Sequence, residues 1–255
     1  MEAMKEMRRV EKGEWPLSQS LLRGVGIVGT WSALHVYSVW FLDAVTNPGL
    51  AAVLFWTQVW LSAGLFITAH DCMHGSFAPG STWANKWAGC LCMRLYMGFN
   101  FQLFFKKHFM HHKHVGTERD PDYAVEHQDS IPRWYLDFLF SYLDWDMFWT
   151  TGTLMIVYSL ILWERTPYLF GFYALPSLFS SFQLFFFGTY LPHREIANET
   201  FNNAHHSRSS NYPPWLSLLT SFHFGYHEEH HLAPSVPWWG LPVLRHARLS
   251  PPQAK

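Results

Sequence analysis

Four apolar stretches of about 20 residues place the strongest constraint on how this chain can fold. They occupy residues 22–42, 49–69, 145–163 and 168–191, and each is long enough to cross the hydrocarbon core of a bilayer as a helix. A backbone inside a bilayer must satisfy its own hydrogen bonds, which a helix does. The sequence therefore predicts an all-α integral membrane protein with about four transmembrane helices. Pro176 predicts a kink in the last of them, because proline cannot donate a helical hydrogen bond.

The composition is typical of a membrane protein with about half its mass outside the bilayer. Charged residues make up only 15% of the 255 residues and aromatic residues 18%, whereas about 25% of a typical soluble domain is charged. Mean hydropathy is nevertheless close to zero, so polar segments must separate the apolar ones. The net charge is −1 and no basic tract alternates with aromatics, which argues against a nucleic-acid partner. We expect a single domain over residues 1–255.

The charge distribution predicts the orientation in the membrane. The connections 43–48 and 164–167 are short and would lie on one side, with all other polar segments on the opposite side. Of the 18 Lys and Arg residues, only Arg165 falls in these connections. Since Lys and Arg are enriched on the cytoplasmic side of membrane proteins, we expect both termini and a histidine-rich cap in the cytoplasm. Two partly apolar stretches, 83–105 and 213–225, predict helices at the membrane interface.

The N-terminus and the cysteines carry no processing or disulfide signal. The first 19 residues are charged with both signs and no short apolar stretch with a cleavage site follows, so we expect no removable signal peptide. Cys72, Cys90 and Cys92 lack the CxxC spacing of zinc or redox sites. We expect them to act as small buried hydrophobic residues.

The chain has 16 histidines, and most of them are clustered near the ends of the apolar stretches. One group has the pattern HxxxH and two have the pattern HxxHH, beginning at His70, His108 and His227. Residues at i, i+3 and i+4 share one side of a helix, and neutral imidazole binds zinc, iron, copper or nickel. Ionisable groups at membrane depth are usually functional. Three such groups on one face of the membrane predict a metal centre.

The stretch HEEHH at 227–231 leaves two interpretations open. It contains HExxH, the motif of zinc metalloproteases. A zinc protease needs one such motif, a third ligand and a water, which would leave the other two groups unexplained. Eight histidines exceed the needs of one tetrahedral ion and match two neighbouring ions. We therefore interpret HEEHH as one corner of a dinuclear site, with Glu228 and Glu229 outside the ligand set. A membrane zinc hydrolase remains the alternative.

The three histidine groups and the two-plus-two arrangement of spans resemble the membrane fatty-acid desaturase and hydroxylase superfamily. Within it, the chain is most similar to the bacterial-type β-carotene ketolases. The stretches that carry the likeness are SAGLFITAHDCMHGS (62–76), HHKHVGTERDPDY (111–123), FGTYLPHR (187–194), AHHSRSSNY (204–212) and SLLTSFHFGYHEEHH (217–231). The histidine groups are shared by the superfamily, whereas GTxxDPD, LPHR and HHxRSS are typical of the ketolase branch.

The resemblance implies a set of metal ligands. The histidines of the three groups would bind metal: His70, His74, His108, His111, His112, His227, His230 and His231. The superfamily has one more histidine ligand between the second and third groups. We expect it at His193, because this residue follows the fourth span level with the first group. His206 is the alternative, since relatives carry an Asn/His pair with the spacing of Asn202 and His206.

Other polar residues are candidates to position these ligands. Metal-bound imidazoles usually donate their second N–H to a nearby acceptor, and Asp71, Asp120 and Asp122 are candidates for that role. Loop hydrogen bonding is an equally simple explanation for the pair Asp120 and Asp122. His114 is expected near the ligands but outside their set. We expect no catalytic residue beyond the metal ligands.

The resemblance also implies the chemistry. The superfamily consists of non-haem diiron enzymes that use dioxygen, so two iron ions are expected. A ketolase hydroxylates carbon 4 of a β-ionone ring twice, and the geminal diol loses water to give the ketone of echinenone, canthaxanthin or astaxanthin. No flavin, haem or Rossmann motif is present, so electrons would come from a separate protein such as a ferredoxin, for which Lys106, Lys107 and Lys113 offer a docking surface.

The carotenoid substrate would enter sideways from the bilayer into a tunnel between the spans. The aromatic residues that could line this tunnel, or pack in the core instead, are Phe66, Tyr96, Phe99, Phe101, Phe104, Phe105, Phe185, Phe186 and Phe187. Two related activities stay open, a carotenoid hydroxylase that stops after one oxygenation and a fatty-acyl desaturase. A metal transporter is disfavoured, because the spans carry almost no ionisable residues to pass ions.

Overall fold

Every regular element of the computed structural model is a helix in the residues that it describes, 15–196, 201 and 203–250. The helices are α1 Leu17–Val36, continued by a π-turn at Tyr37–Phe41, α2 Pro48–His74, α3 Thr82–Met97, α4 Phe101–His114, α5 Ile131–Tyr142, α6 Trp145–Ile161, α7 Trp163–His193, α8 Pro214–Ser221, α9 His227–Leu232 and α10 Leu241–Leu249. The all-α prediction is confirmed for this part of the chain.

Helix α2 is the element around which the others pack, with contacts to α1, α3, α7 and α8. Pro48 occupies its first turn, where a missing N–H breaks no helical hydrogen bond. The helix ends at Gly75, whose φ of 72° is a left-handed conformation that glycine adopts without strain. Its last two turns carry His70 and His74. These two imidazoles are therefore held on the most thoroughly packed helix of the protein.

Two helices, α2 and α7, are long and apolar enough to cross a membrane. They correspond to the predicted spans 49–69 and 168–191. Helices α1 and α6 coincide with the predicted spans 22–42 and 145–163, but α6 has only 17 residues. The structure thus supports two crossing helices by length and composition, and the four-span arrangement remains a prediction.

The stretch 83–105, predicted as one interfacial helix, is divided between α3 and α4. Gly98 ends α3 with a φ of 71°. Asn100 begins α4, because its side chain accepts hydrogen bonds from the backbone N–H groups of Gln102 and Leu103. Helix α3 packs back along α2, and α4 then returns its C-terminal histidines to the end of α2. The stretch 213–225 contains only the short helix α8.

Each of two prolines within α7 follows a π-turn. The π-turn Phe170–Ala174 precedes Pro176, and the π-turn Phe186–Tyr190 precedes Pro192. A proline ring clashes with the carbonyl four residues earlier and leaves it without a donor, and a widened turn relieves both problems. At Pro176, where the sequence predicts a kink, the helix continues through such a turn.

The link between α8 and α9 is strained. Phe222 and His223 both have left-handed backbones, with φ values of 49° and 65°, a conformation that costs energy for residues other than glycine. The pair turns the chain so that α9 enters the cluster formed by the ends of α2, α4 and α7. Trp238 reinforces this turn, with its ring 5.3 Å from that of Phe222 and 6.0 Å from that of His223.

Candidate metal centre

Eight histidines come together in two groups of four, and within each group the ligand nitrogens lie within 4.8 Å of one another. The first group is His70, His74, His108 and His230, and the second is His111, His193, His227 and His231. Helices α4 and α9 contribute to both groups, α2 only to the first and α7 only to the second. All eight belong to the nine histidines predicted as ligands.

The ninth predicted histidine, His112, borders both groups. Its Nε2 lies 3.0 Å from Nε2 of His108 and 3.0 Å from Nε2 of His230, both in the first group. Its ring centroid is also 4.3 Å from that of His231 in the second group. The two groups are therefore adjacent, and His112 occupies the boundary between them.

The pattern of nitrogen contacts does not suit a hydrogen-bond network. The Nε2 atom of His108 meets Nε2 of both His74, at 2.6 Å, and His112. The Nε2 atom of His231 likewise meets those of His111 and His227, at 3.2 and 3.0 Å. One ring nitrogen is either a donor or an acceptor and cannot satisfy two such neighbours at once. A cation enclosed by these lone pairs satisfies all of them, so the donor set fits metal ions bound by imidazole.

Two unpartnered nitrogens agree with this interpretation. His70 Nε2 and His193 Nε2 are buried and make no hydrogen bond within the described residues. A buried polar atom without a partner is costly, and each of these rings belongs to one of the two groups. Metal coordination would supply the missing partner in both cases.

The environment also keeps the imidazoles neutral. Burial, followed by the neighbouring imidazoles, lowers the pKa of His112 to about 2. The same causes hold the pKa of His108, His227, His230 and His231 well below the ordinary histidine value. Metal ions bind the neutral form of imidazole. The site therefore presents its ligands in the form that metal binding requires.

His111 differs from the other histidines of the two groups because it has a carboxylate partner. Its Nδ1 donates to Asp120, 2.9 Å from Oδ1 and 3.1 Å from Oδ2, and both residues are buried. Burial alone would lower the pKa of His111, but the hydrogen bond to Asp120 and the nearby carboxylates outweigh it and raise the pKa. With Nδ1 engaged in this way, Nε2 is the nitrogen left to face the metal.

The other two candidate carboxylates do not reach a ligand nitrogen. Asp122 Oδ2 lies 3.8 Å from His111 Nδ1, and its Oδ1 accepts a hydrogen bond from the Tyr142 hydroxyl at 2.5 Å. Asp71 Oδ1 is 4.0 Å from His70 Nδ1 and its carboxylate accepts the backbone N–H of Trp238. Asp71 therefore ties α2 to the segment before α10.

His193 and His206 are the two candidates for the additional ligand that lies between the two HxxHH motifs in the sequence. The structure places them differently. The ring of His193 lies in the second group, and its Nδ1 donates to the backbone carbonyl of His206 at 2.7 Å. The His206 side chain belongs to neither group among the described residues. The same holds for His114, whose carbonyl accepts hydrogen bonds from Thr117. Asn202 lies outside the described residues.

Comparison with known proteins agrees with this geometry. The model of the fatty acid desaturase family matches residues 47–154 and 141–254. The chain belongs to the fatty acid desaturase family. It is 48% identical to the β-carotene ketolase of Paracoccus sp. strain N81106, over 89% of this chain and 92% of that protein. The β-carotene ketolase of Paracoccus sp. strain PC1 is 44% identical, over 84% of this chain and 87% of its own length.

A more distant relative carries a different name. The zeaxanthin 4-ketolase of Chlamydomonas reinhardtii is 32% identical over 89% of this chain, which covers 54% of that longer protein. The resemblance carried by the histidine motifs is thus confirmed. Two further features of the site bear on its function: an ion-pair cluster that the sequence did not predict, and a cavity that can be compared with the predicted tunnel.

The first feature is an ion-pair cluster that holds α9, the helix with three of the histidines. Glu229 is only 1% exposed and pairs with Arg245 at 3.2 Å and Arg248 at 2.6 Å, while Ser209 donates its hydroxyl to the same carboxylate. Arg248 also pairs with Glu228. The sequence left both glutamates outside the ligand set, but gave no partner for them. The i, i+3 spacing of the two arginines on α10 is the signal that could have indicated one.

The second feature is a narrow cavity that leads from the histidines into the apolar core. Two adjoining spaces of about 30 and 20 Å³ share five lining residues, Phe66, Phe104, Phe138, Tyr142 and Leu184. The inner space is bordered by His108, His111 and His227. The outer space is bordered by Tyr96 and Phe99. The cavity is thus apolar except at the end next to the two histidine groups.

Four of the nine aromatic residues predicted as tunnel lining border this cavity: Phe66, Tyr96, Phe99 and Phe104. Phe186 and Phe187 instead border a separate groove between α2 and α7. Phe185 is buried among aromatic residues of α5, and Phe101 packs against Gly89. Phe105 is partly exposed beside Phe109. Sequence alone could not separate lining from packing, because both uses favour the same side chains.

Proposed function

We propose that this chain is a membrane-bound β-carotene ketolase, which converts the carbon 4 methylene of β-ionone rings to a ketone. The observation that carries the proposal is the apolar cavity that ends at the two histidine groups, in a chain 48% identical to a β-carotene ketolase over 89% of its length. The apolar lining suits a carotenoid, which has no polar group on an unmodified ring, and the spaces of about 30 and 20 Å³ must widen to admit that ring.

Two iron ions are the proposed cofactors, one for each histidine group, with His112 able to serve either ion. When bound, iron supplies the activation of dioxygen that oxidation of a C–H bond requires. The protein positions the histidine side chains around these ions. Asp120 fixes the ring of His111 and the His206 carbonyl fixes that of His193, while the ion pairs of Glu229 hold α9 in place.

The proposed reaction balances with four electrons for each ring. One methylene, two dioxygen molecules, four electrons and four protons give one ketone and three water molecules. A separate electron-transfer protein must deliver these electrons, since the sequence has no flavin or haem motif. The exposed residues Lys106 and Lys113 of α4 are candidates for its docking surface. Lys107, the third candidate, donates to the Ser141 carbonyl instead.

The proposed topology has four crossing helices in one domain, with both termini and the histidines on the cytoplasmic side. Helices α1 and α6 support the additional two spans, because large apolar side chains on both are exposed. Examples are Leu22 at 71% and Val25 at 69% on α1, and Ile156 at 63% and Leu160 at 71% on α6. Apolar surface of this extent needs an apolar surrounding such as lipid.

Product analysis in a bacterial host that accumulates β-carotene tests the proposal. The wild-type chain should give red-shifted pigment in which each modified ring gains one oxygen and loses two hydrogens, and the purified protein should hold about two irons. His230→Ala removes a ligand of the first group and should reduce both the ketone, by more than about 100-fold, and the iron content. His246→Ala, at an exposed histidine of α10, is the matched control.

Three other results would contradict the ketolase assignment. Rings that carry a single hydroxyl would indicate a carotenoid hydroxylase. Unchanged carotene with an iron-loaded protein would indicate another lipid substrate, such as a fatty-acyl chain. About one zinc ion and no oxygen consumption would indicate a hydrolase based on HEEHH.

A further inference from the structure

Thr189 is a buried residue on the wall of the cavity beside the two histidine groups, and its hydroxyl makes no hydrogen bond to another described residue. The residue is 5% exposed and borders the inner cavity together with His108, His111 and His227. Across the described residues, no hydrogen bond joins the Thr189 hydroxyl to another group. A hydroxyl without a protein partner beside an otherwise apolar cavity is available to a polar ligand, and its position next to the histidines points to one.

Two other helical threonines of the same chain show the arrangement that Thr189 lacks. The hydroxyl of Thr57 donates to the Val53 carbonyl at 2.7 Å, and that of Thr68 to the Gly64 carbonyl at 2.8 Å. This bond to the carbonyl four residues earlier is the ordinary arrangement for threonine in a helix. Thr189 lies in the π-turn Phe186–Tyr190, where the widened backbone replaces the regular i, i−4 geometry. In this turn the Thr189 hydroxyl makes no such bond, and the residue borders the cavity.

The neighbouring polar groups of the cavity are already engaged. The Tyr142 hydroxyl donates to Asp122 at 2.5 Å, and Asp122 lies 3.8 Å from His111. The remaining wall is formed by apolar residues such as Phe66, Leu184 and Phe224. Within the described part of the chain, the Thr189 hydroxyl is therefore the free donor and acceptor of this wall.

The reaction itself creates a ligand for such a group. Ketone formation oxidises the same carbon twice. Each oxidation consumes one dioxygen, two electrons and two protons and releases one water, and the geminal diol then loses a third water to give the ketone. After the first oxidation the ring carries an alcohol at carbon 4. In an apolar cavity this alcohol loses its hydrogen bonds to water. It must nevertheless stay at the histidines, with the same carbon facing them, until the second oxidation.

We propose that the Thr189 hydroxyl binds the carbon 4 alcohol and holds it for the second oxidation, so that this residue determines whether alcohol or ketone is released. The inference rests on the proposed ketolase function. Thr189 acts here as a substrate-binding residue. The proposal requires no contact between Thr189 and the metal ions. Its ligand class is a secondary ring alcohol of a carotenoid.

The test compares the ratio of alcohol to ketone among the products of purified wild-type protein and variants, supplied with β-carotene, dioxygen and reductant. Thr189→Val keeps the shape of the side chain and removes the hydroxyl, so the ratio should rise roughly three- to tenfold, as expected for loss of one hydrogen bond. Thr189→Ala should raise the ratio in the same direction, whereas Thr189→Ser keeps a hydroxyl and should stay near the wild-type ratio. Thr153→Val, at an exposed position of α6, is the matched control.

A second measurement separates binding of the alcohol from a general loss of activity. With 4-hydroxy-β-carotene supplied as substrate, the KM of Thr189→Val should rise by a similar factor relative to its KM for β-carotene. Equal alcohol fractions in wild type, Thr189→Val and Thr189→Ala would overturn the inference while leaving the ketolase assignment intact. Absence of any oxygenated product from the wild type would overturn the proposed function itself. If the valine variant does not fold, the comparison of alanine with serine still decides the question.

Discussion

Asp120 illustrates how one residue outside the ligand set can control a ligand. Its carboxylate accepts His111 Nδ1 and also the backbone N–H groups of Gly116 and Asp122, at 3.0 and 2.9 Å. The two backbone donors hold the carboxylate in place, and the carboxylate in turn fixes the orientation of the imidazole. The negative charge also strengthens the ligand as a base.

Replacement of this charge has a predictable effect on metal binding. In Asp120→Asn, the neutral amide keeps the shape but accepts the His111 N–H more weakly, so we expect iron affinity to fall about 10- to 100-fold. Iron retained against a graded series of chelator concentrations measures the change. Asp129→Asn, on an exposed loop residue of the same connection, should retain iron like the wild type. An unchanged affinity in Asp120→Asn would show that the bond does not position the ligand.

At the same scale, sequence reasoning predicted the histidines better than their arrangement. The spacing patterns selected eight of the nine histidines that were predicted as ligands, and the resemblance together with the end of the fourth span selected His193. The assignment of each histidine to a group could not be read from spacing, because it depends on how α4 and α9 are rotated against each other. In both HxxHH motifs the i+3 histidine joins the opposite group from the first histidine, His111 opposite His108 and His230 opposite His227.

Helical geometry explains this division between the two groups. Residues at i and i+4 differ by about 40° around a helix, and residues at i and i+3 by about 60° in the opposite sense. The i, i+4 pair His70 and His74 shares one group, and the pair His227 and His231 shares the other. In α4, His112 touches His108, four residues earlier. The HxxHH motif therefore serves two adjacent sites, because its i+3 and i+4 histidines point to different sides of the helix.

At the scale of elements, the π-turns of α7 are the feature that no sequence pattern predicted. Pro176 and Pro192 indicate where the helix must deviate, but a kink and a widened turn are alternative responses to the same clash. Packing decides between them. Gly188 lies in the second π-turn, and a Cβ at this position would overlap the ring of Phe224. That ring lies 5.2 Å from His70 and 5.1 Å from His227, centroid to centroid.

Gly188→Ala tests whether this close approach supports the centre. The added methyl group must displace Phe224 and with it the two neighbouring histidines, so we expect a loss of about 1–3 kcal/mol in stability together with reduced iron content. Thermal unfolding in detergent and metal analysis measure the two effects. Gly171→Ala is the matched control in the same helix, since a Cβ there has no neighbour within 4 Å. Equal stability and iron content in both variants would contradict the role of Gly188.

At the scale of the whole molecule, the apolar stretches predicted the helical architecture but not the path of every segment. The stretch 83–105 reads as one helix, yet Gly98 and Asn100 end one helix and begin another, so that α3 and α4 form a hairpin beside α2. This hairpin brings the histidines of α4 to His70 and His74 at the end of α2. Its position is set by contacts between α3 and α2, which join residues distant in the sequence and leave no periodic signal.

The orientation of this assembly is the remaining whole-molecule prediction. The connection between α1 and α2 lies at the end of α2 opposite to the histidines, and Val45 within it is 86% exposed. Glu118 is exposed next to α4, on the histidine side. If the excess of Lys and Arg on the histidine side marks the cytoplasm, Val45 must face the opposite compartment.

Thiol labelling of intact cells decides the orientation. Cys90→Ala provides the background, because Cys72 and Cys92 are buried. In that background, a membrane-impermeant maleimide should label Val45→Cys in intact cells and Glu118→Cys only after the inner membrane is permeabilised. The reverse pattern would place the histidines outside the cytoplasm, away from cytoplasmic reductants, and would require a different source for the four electrons. Labelling of both positions in intact cells would contradict the proposal that α2, the helix that carries His70 and His74, crosses the membrane.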